Sequence, residues 1–336
     1  MKFPSRVRLT FFFLAFAGAA LFTVLLIREG APQVGKAIAT AGWAILAVIV
    51  YHLCVPVFLD ALAWWVLFPK NDRPPLREIF WMRWIGESVS TLVPSAAVGG
   101  DIVRARLAAI KGTPLPIAAG TVLVDLTLGV FTQAAFTILG VLLLVQATGQ
   151  RSLVGPTVIG TLIGVAAVGG FYFVQRLGMF RFLARMIAKL ANSPEWQSLV
   201  QSGETLDQTI RTLYARRRGV IACCAWTLLS LILNSGEIWI ALRALNLNAT
   251  VLNAIILQST VLTVRNVGFA VPSGLGVQEG GYVLIGNLLG IDGANALALS
   301  LIARVRELAI GIPGIIFWQL IEGRRLLRAR TLDAAS

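Results

Sequence analysis

Six apolar runs, each long enough to cross a bilayer, leave this chain few ways to fold; they cover residues 9–27, 37–68, 116–145, 153–174, 220–242 and 296–320. A helix needs about 20 mostly apolar residues to span the hydrocarbon core. Inside that core every backbone polar group must be satisfied within the protein, so uninterrupted runs of this length become helices. Only 13% of the 336 residues are charged, against roughly 25% in soluble proteins. The expectation is an all-α polytopic membrane protein, with residues 1–336 forming one integral membrane domain.

The formal charge of +13 is a matter of topology and lipid contact, not of nucleic acid. Basic residues flank the runs, where they fix orientation and meet anionic headgroups. Lys2, Arg6 and Arg8 precede the first run, which has no convincing small-residue cleavage site after it and reads as an uncleaved span. Residues 70–111 hold seven basic and four acidic side chains, and residues 175–218 hold eight basic and three acidic ones. Both connections are expected to be cytoplasmic. Arg181, Arg185 and Lys189 recur every four residues among apolar side chains, so residues 178–190 predict an amphipathic surface helix within the 175–218 connection. Arg324, Arg325, Arg328 and Arg330 make the tail cytoplasmic as well.

Two interruptions break the apolar pattern. The later one reads Val271-Pro272-Ser273-Gly274-Leu275-Gly276-Val277-Gln278-Glu279-Gly280-Gly281, and the earlier one runs Val93-Pro94-Ser95 to Gly99-Gly100-Asp101. Breakers and carboxylates at membrane depth are costly unless they line a cavity or pack inside protein. Residues 79–111 and 251–291 are therefore candidate re-entrant or broken helical hairpins. They accompany six full spans, three in a first half, 1–145, two in a second half, 219–320, and one, 153–174, between the halves. The charge rule then closes with both termini cytoplasmic if the two hairpins enter from opposite faces. That arrangement is compatible with an inverted-topology repeat around a central site.

The ionisable residues near these elements are the candidate substrate-binding set. Asp101, Arg104 and Arg106 form an acid-and-base group in the first element, and Asp125 lies two turns into the next span, where Arg104 or Arg106 can neutralise it. In the second element, Arg265 and the amides around Gly274, Gly276, Gly280 and Gly281 can receive a lipid phosphate or another anion. Pro272 shapes that turn. Glu279 can pair with Arg265, meet a cationic headgroup or relay a proton. Arg304 and Glu307 sit three residues apart on the last span, which suits an ion pair. Glu237 is expected near the outer end of its span. The plainer alternative is that all these charges neutralise one another and fix the bundle.

Enzyme chemistry has no comparable signal. His52 is the only histidine, which removes a multi-histidine metal site, and it reads as a packed or lipid-adjacent residue. Cys54, Cys223 and Cys224 lie in apolar runs without ligand spacing. No phosphate-binding loop or nucleophile elbow occurs, and no cofactor is implied.

The motif Val-Pro-Ser with Gly99-Gly100-Asp101-Ile102-Val103-Arg104, followed by a span containing Asp125, resembles the membrane domain of the lysylphosphatidylglycerol synthase and flippase-like superfamily. The later element is similar to that family's Pro-Gly-Gly-x-Gly-x-x-Glu motif, with Glu279 at the acidic position. The first element departs from the glycine-rich form by reading Pro94-Ser95-Ala96-Ala97. In detail the chain is most similar to hopanoid-biosynthesis-associated membrane proteins. The resemblance implies a multi-pass protein of a bacterial inner membrane. It also implies membrane lipids as partners, hopanoid-pathway membrane enzymes among further partners, and a lipid-flippase or lipid-transport function. No soluble transferase domain is recognisable, so aminoacyl transfer is not carried over. An accessory role in hopanoid biosynthesis, or intramembrane lipid modification, remains the alternative.

Overall fold

The computed structural model describes residues 31–93, 99–149, 196–248, 250–267, 271 and 274–333, with isolated helical positions before residue 31 and between 155 and 177. Among the described residues, eleven α-helices and one 3-10 turn form the architecture and no strand occurs. The protein is an all-α polytopic membrane protein. Helix α1 is Ala31–Ala41. Gly42, at φ +43°, makes the turn into α2, Ala44–Cys54, so the second apolar run is divided near its start. Pro56 opens α3, Pro56–Trp65, where its missing N–H costs nothing. Together α2 and α3 form an apolar unit long enough to cross a membrane.

Helix α4, Leu76–Leu92, and helix α5, Gly99–Ile110, pack on each other as the first hairpin. Helix α6, Leu115–Thr148, starts after Pro114 and stops at Gly149, whose left-handed φ of 68° closes the last turn. Then come α7, Trp196–Ala215, and α8, Arg217–Ala244. Helices α9, Val251–Val267, and α10, Val277–Leu288, form the second hairpin, and α11, Gly293–Asp333, runs last. Of the six expected crossings, the second, third and fifth coincide with segments long and apolar enough to span, at Ala44–Trp65, Leu115–Thr148 and Arg217–Ala244. The sixth lies within α11. The first and fourth crossings and the amphipathic segment 178–190 fall almost wholly outside the described residues.

Among the described residues three apolar clusters hold the bundle, a smaller one joining α3, α6, α7 and α8 around Leu67, Val124, Ile210 and Leu213, and two larger ones. One joins α3, α4, α5 and α6 around Trp64, Phe68, Ile79 and Ile85, and reaches Ile310 of α11. The other joins α8, α9, α10 and α11 around Leu242, Ile256, Leu257 and Leu297. Facing outward are Leu126, Val130 and Leu142 on α6 and Val305, Leu308, Ile312 and Ile316 on α11. The α11 set recurs at helical spacing, giving that helix a lipid-facing side opposite its charged one.

Small residues set how closely the helices approach, as expected where lipid and protein are equally apolar and van der Waals fit decides association. A Cβ on Gly100 would lie 2.0 Å from the carbonyl oxygen of Gly86, so α4 and α5 touch backbone to backbone. Gly311 and Gly314 of α11 admit Leu92 and Ser88 of α4 in the same way. Gly140 of α6 faces Ser259 of α9, beside a 2.7 Å hydroxyl contact between Thr137 and Thr263. Gly100→Ala should therefore cost about 1–3 kcal/mol through overpacking, read as a lower thermal midpoint in detergent. Gly129→Ala, where nothing lies within 4 Å, should leave the midpoint unchanged or raise it slightly.

Candidate functional site

Charge is buried in two networks, one against each hairpin. In the first, Arg104 of α5 is only 2% exposed. Its guanidinium donates to Asp125 Oδ2 of α6 at 2.8 Å and to Asp101 Oδ1 at 2.5 Å. Gly86 leaves the room its side chain occupies, since a Cβ there would lie 2.4 Å from Arg104 Cγ. The guanidinium carbon stands 5.0 Å from the Trp64 ring centroid, which adds a cation–π contact. Arg83 of α4 donates to Asp60 of α3 at 2.7 Å and approaches the same Asp125 oxygen at 3.5 Å. The Cys223 thiol of α8 lies 3.8 Å from Asp125 Oδ1. Two guanidiniums are thus enclosed by three carboxylates.

The second network spans α2, α4, α8, α9, α10 and α11. Glu307 of α11 accepts from Arg265 of α9 at 2.5 Å and from Arg304 at 3.1 Å, with Arg306 at 3.7 Å. Arg304 also donates to Glu279 Oε1 of α10 at 3.0 Å. Arg306 donates to both oxygens of Glu237 on α8 at 3.1 Å. The ring of His52 meets Glu237 at 3.1 Å through Nδ1 and Glu87 of α4 at 2.9 Å through Nε2. Four carboxylates face three guanidiniums and one imidazole. Arg83 and Glu87, one turn apart on α4, bring the two networks side by side.

The structure brings Asp101, Arg104 and Asp125 together, and gathers Arg265, Glu279, Arg304 and Glu307 into a single cluster. Within the second set the expected Arg304–Glu307 pair forms, while the Glu279–Arg265 option is not taken up. Glu279 bonds Arg304, while Arg265 reaches past it to Glu307, because Arg304 lies one turn before Glu307 and beside the start of α10. Arg106 lies on the exposed side of α5. Pro272 lies outside the described residues. Gly274 and Gly276 take left-handed φ values of 60° and 75°, which lets the chain turn tightly into α10. Their neighbourhood is less open to anions than the glycine content suggests. The Gly274 amide donates to Val271 O and the Gly280 amide to Gly276 O, each at 2.9 Å. Arg265 packs over Gly274, its Cγ 3.2 Å from a Cβ built there.

Glu237 is buried, 7% exposed, and is satisfied by hydrogen bonds from Arg306 rather than by exposure. His52 is equally enclosed, a packed residue that does not face lipid, and it also belongs to the network. Sequence reasoning also missed Asp60, Arg83 and Glu87 as network members. For Asp60 and His52 the usable signal was an ionisable residue inside an apolar run, itself a mark of an internal partner.

Beside the second network, a cleft of about 10 Å³ lies between His52, Glu87, Thr91, Arg306 and Glu307, room for about one water. Among the described residues no group of His, Cys, Asp or Glu can hold a metal ion. The family model for the lysylphosphatidylglycerol synthase TM region matches residues 11–314. The chain belongs to that family. Comparison with curated proteins, and with solved structures, gives no match. Membership makes the protein a membrane protein with a lipid-related function.

In such a bundle, removing one member of a buried pair strands its partner's charge, a loss of about 3–5 kcal/mol in enclosed pairs. Asp101 still holds Arg104, so Asp125→Leu should cost about 3 kcal/mol. The double variant Asp125→Leu with Arg104→Met should lose less than the two single losses summed, by roughly 1–3 kcal/mol. Thermal and denaturant unfolding of all four proteins in one detergent checks this. Simple additivity would show that the pair is not coupled.

Proposed function

We propose that this protein moves a lipid headgroup across a bacterial inner membrane, the two charged networks serving as the polar track while the acyl chains stay in lipid. The observation that carries the reading is at the start of α10. Glu279 is fully buried, with Oε1 on Arg304 and, among the described residues, no hydrogen-bond partner for Oε2. Next to it, buried Gln278 gives its amide N–H to Ser300 and leaves Oε1 without a partner among the described residues. Ser300 and Arg304 are one turn apart on α11, so both side chains lean on the same face of that helix. Orphaned acceptors at this depth cost about 1–3 kcal/mol each. Polar groups kept under such a cost fit a site that meets donors from a passing headgroup.

In this reading both termini are cytoplasmic, and 79–111 and 251–291 are re-entrant elements of inverted-topology halves. Phospholipids and hopanoids are the lipid classes in question. The closeness of the bundle favours a second reading. A cleft with room for about one water suits an accessory membrane protein of hopanoid biosynthesis, whose charges only lock the helices and whose partners are pathway enzymes.

Purified protein in sealed liposomes, given a panel of headgroup-labelled lipids, separates the two. Translocation predicts protein-dependent movement of label to the inner leaflet. Glu279→Gln should slow that movement about tenfold, the equivalent of one charged hydrogen bond, and Arg265→Ala should slow it too, with both variants still folded. Unfolding of both variants, or no movement of any lipid by verified, correctly inserted protein, would favour the locking role.

A further inference from the structure

His52 is the chain's only histidine, and its surroundings serve two protonation states. Nε2 lies 2.9 Å from Glu87 Oε1, so a proton on Nε2 is held in either state. At Nδ1 the contacts compete. Arg306 Nη1 is in hydrogen-bond contact with that nitrogen and stands farther, 3.3 Å, from Nε2; Arg306 has no acceptor function, so the closer contact needs a lone pair on Nδ1. Glu237 Oε2, 3.1 Å from the same nitrogen, is an acceptor and needs a proton there. A neutral ring satisfies Arg306, and a charged ring satisfies Glu237.

Charged and titratable groups face the ring from every helix packed around it. Glu87 stands on α4, with Arg83 in electrostatic range of it. Glu237 stands on α8, and Arg306 and Glu307 on α11. Tyr282 of α10 is within electrostatic range of Glu237, Arg306 and Glu307. Tyr51, the neighbour of His52 on α2, gives its hydroxyl to Leu233 O at 2.7 Å. Asp60 of α3 is held by Arg83. The cleft between His52, Glu87, Thr91, Arg306 and Glu307 gives the ring a place for about one water, from which a proton can arrive.

We propose that His52 is a proton-binding site built into the second network, and that its proton count sets the partners of Arg306. One proton taken from water binds Nδ1, and the new N–H donates to Glu237. Two N–H groups cannot face each other, so Arg306 leaves Nδ1. It stays on Glu237 Oε1 and closes on Glu307, already 3.7 Å away. Glu307 is also the acceptor for Arg265 at the end of α9 and for Arg304, which holds Glu279. A proton on α2 is thereby felt at both ends of the Val271–Gly281 break. Release of the same proton to water restores the starting contacts. The use of this proton to drive lipid movement rests on the translocase reading, whereas the binding site itself does not.

One histidine permits a site-specific test. Full-length protein with ¹⁵N-labelled histidine in lipid nanodiscs should show an Nδ1 resonance that titrates between about pH 5 and about pH 10, with Nε2 protonated throughout. Glu237→Gln, which removes the charge that favours imidazolium, should lower the midpoint by about one pH unit or more. Ring resonances that stay unchanged over that range overturn the proposal, as does a midpoint indifferent to Glu237→Gln. In proteoliposomes, an imposed pH gradient should change the wild-type lipid-transfer rate by roughly threefold or more, and His52→Gln should bring that ratio to one. Wild-type transfer indifferent to the gradient, or His52→Gln with the wild-type ratio, overturns the coupling. Titration at Nδ1 without transfer of any lipid supports the proton site and overturns the translocase reading instead.

Discussion

Everything in this bundle depends on keeping buried guanidinium charge accompanied. Arg104, nearly sealed from solvent, is held by Asp101, Asp125 and the face of Trp64. Taking a bare cation of that kind out of water costs several kcal/mol even after relaxation, and recovery requires good geometry on all sides. Those requirements dictate helix placement. α5 must present Arg104 towards α6, α6 must bring Asp125 two turns inside its span, and α4 must offer a glycine at 86 so that the long side chain has somewhere to lie. On the other side, Glu307 imposes a similar demand on α9 and α11, since three arginines converge on it.

Helix α4 carries both demands. It gives Arg83 to the first network and Glu87 to the second, and its small-residue contacts bind it to α5 at Gly100 and to α11 at Gly311 and Gly314. Trp84 on the same helix donates to the backbone carbonyl of Ile310 at 3.1 Å, three residues before Pro313, in a part of α11 where a helical hydrogen bond is already missing. Movement of α4 would therefore act on α5 and α11 together. It would also act on both networks at once, which makes α4 the mechanical link between the two hairpins.

The pairing of Arg104 with Asp125 was legible in the sequence, because a carboxylate two turns into an apolar run must find a cation and the basic helix preceding that run offered Arg104 or Arg106. The choice between those two was settled by helix phase, which turns Arg106 outward. The helical nature of the apolar runs and the break at 271–281 were equally readable, since length and Gly/Pro content act locally. The partners of His52 were not. Glu87, Glu237 and Arg306 lie 35, 185 and 254 residues away, and no periodicity along the chain reports a meeting of four helices. The pairing of Glu279 with Arg304, where Arg265 had been one option, was hidden for a related reason. Neighbourhood across a hairpin suggested Arg265, whereas α10 leans on α11 and puts Arg304 closer.

The shared character of these pairs bears on how such a core can move. Asp125 contacts both Arg83 and Arg104, Glu307 contacts Arg265, Arg304 and Arg306, and Glu237 contacts Arg306 and His52. A bundle built from isolated one-to-one pairs would have to expose a bare charge whenever helices shifted, at several kcal/mol for each ion. With shared acceptors, one cation can withdraw while another holds the carboxylate, so rearrangement proceeds by exchange of partners. The same sharing lets an incoming charged or polar group take over a contact without leaving a vacated one behind. A headgroup track of the kind proposed depends on that exchange of partners.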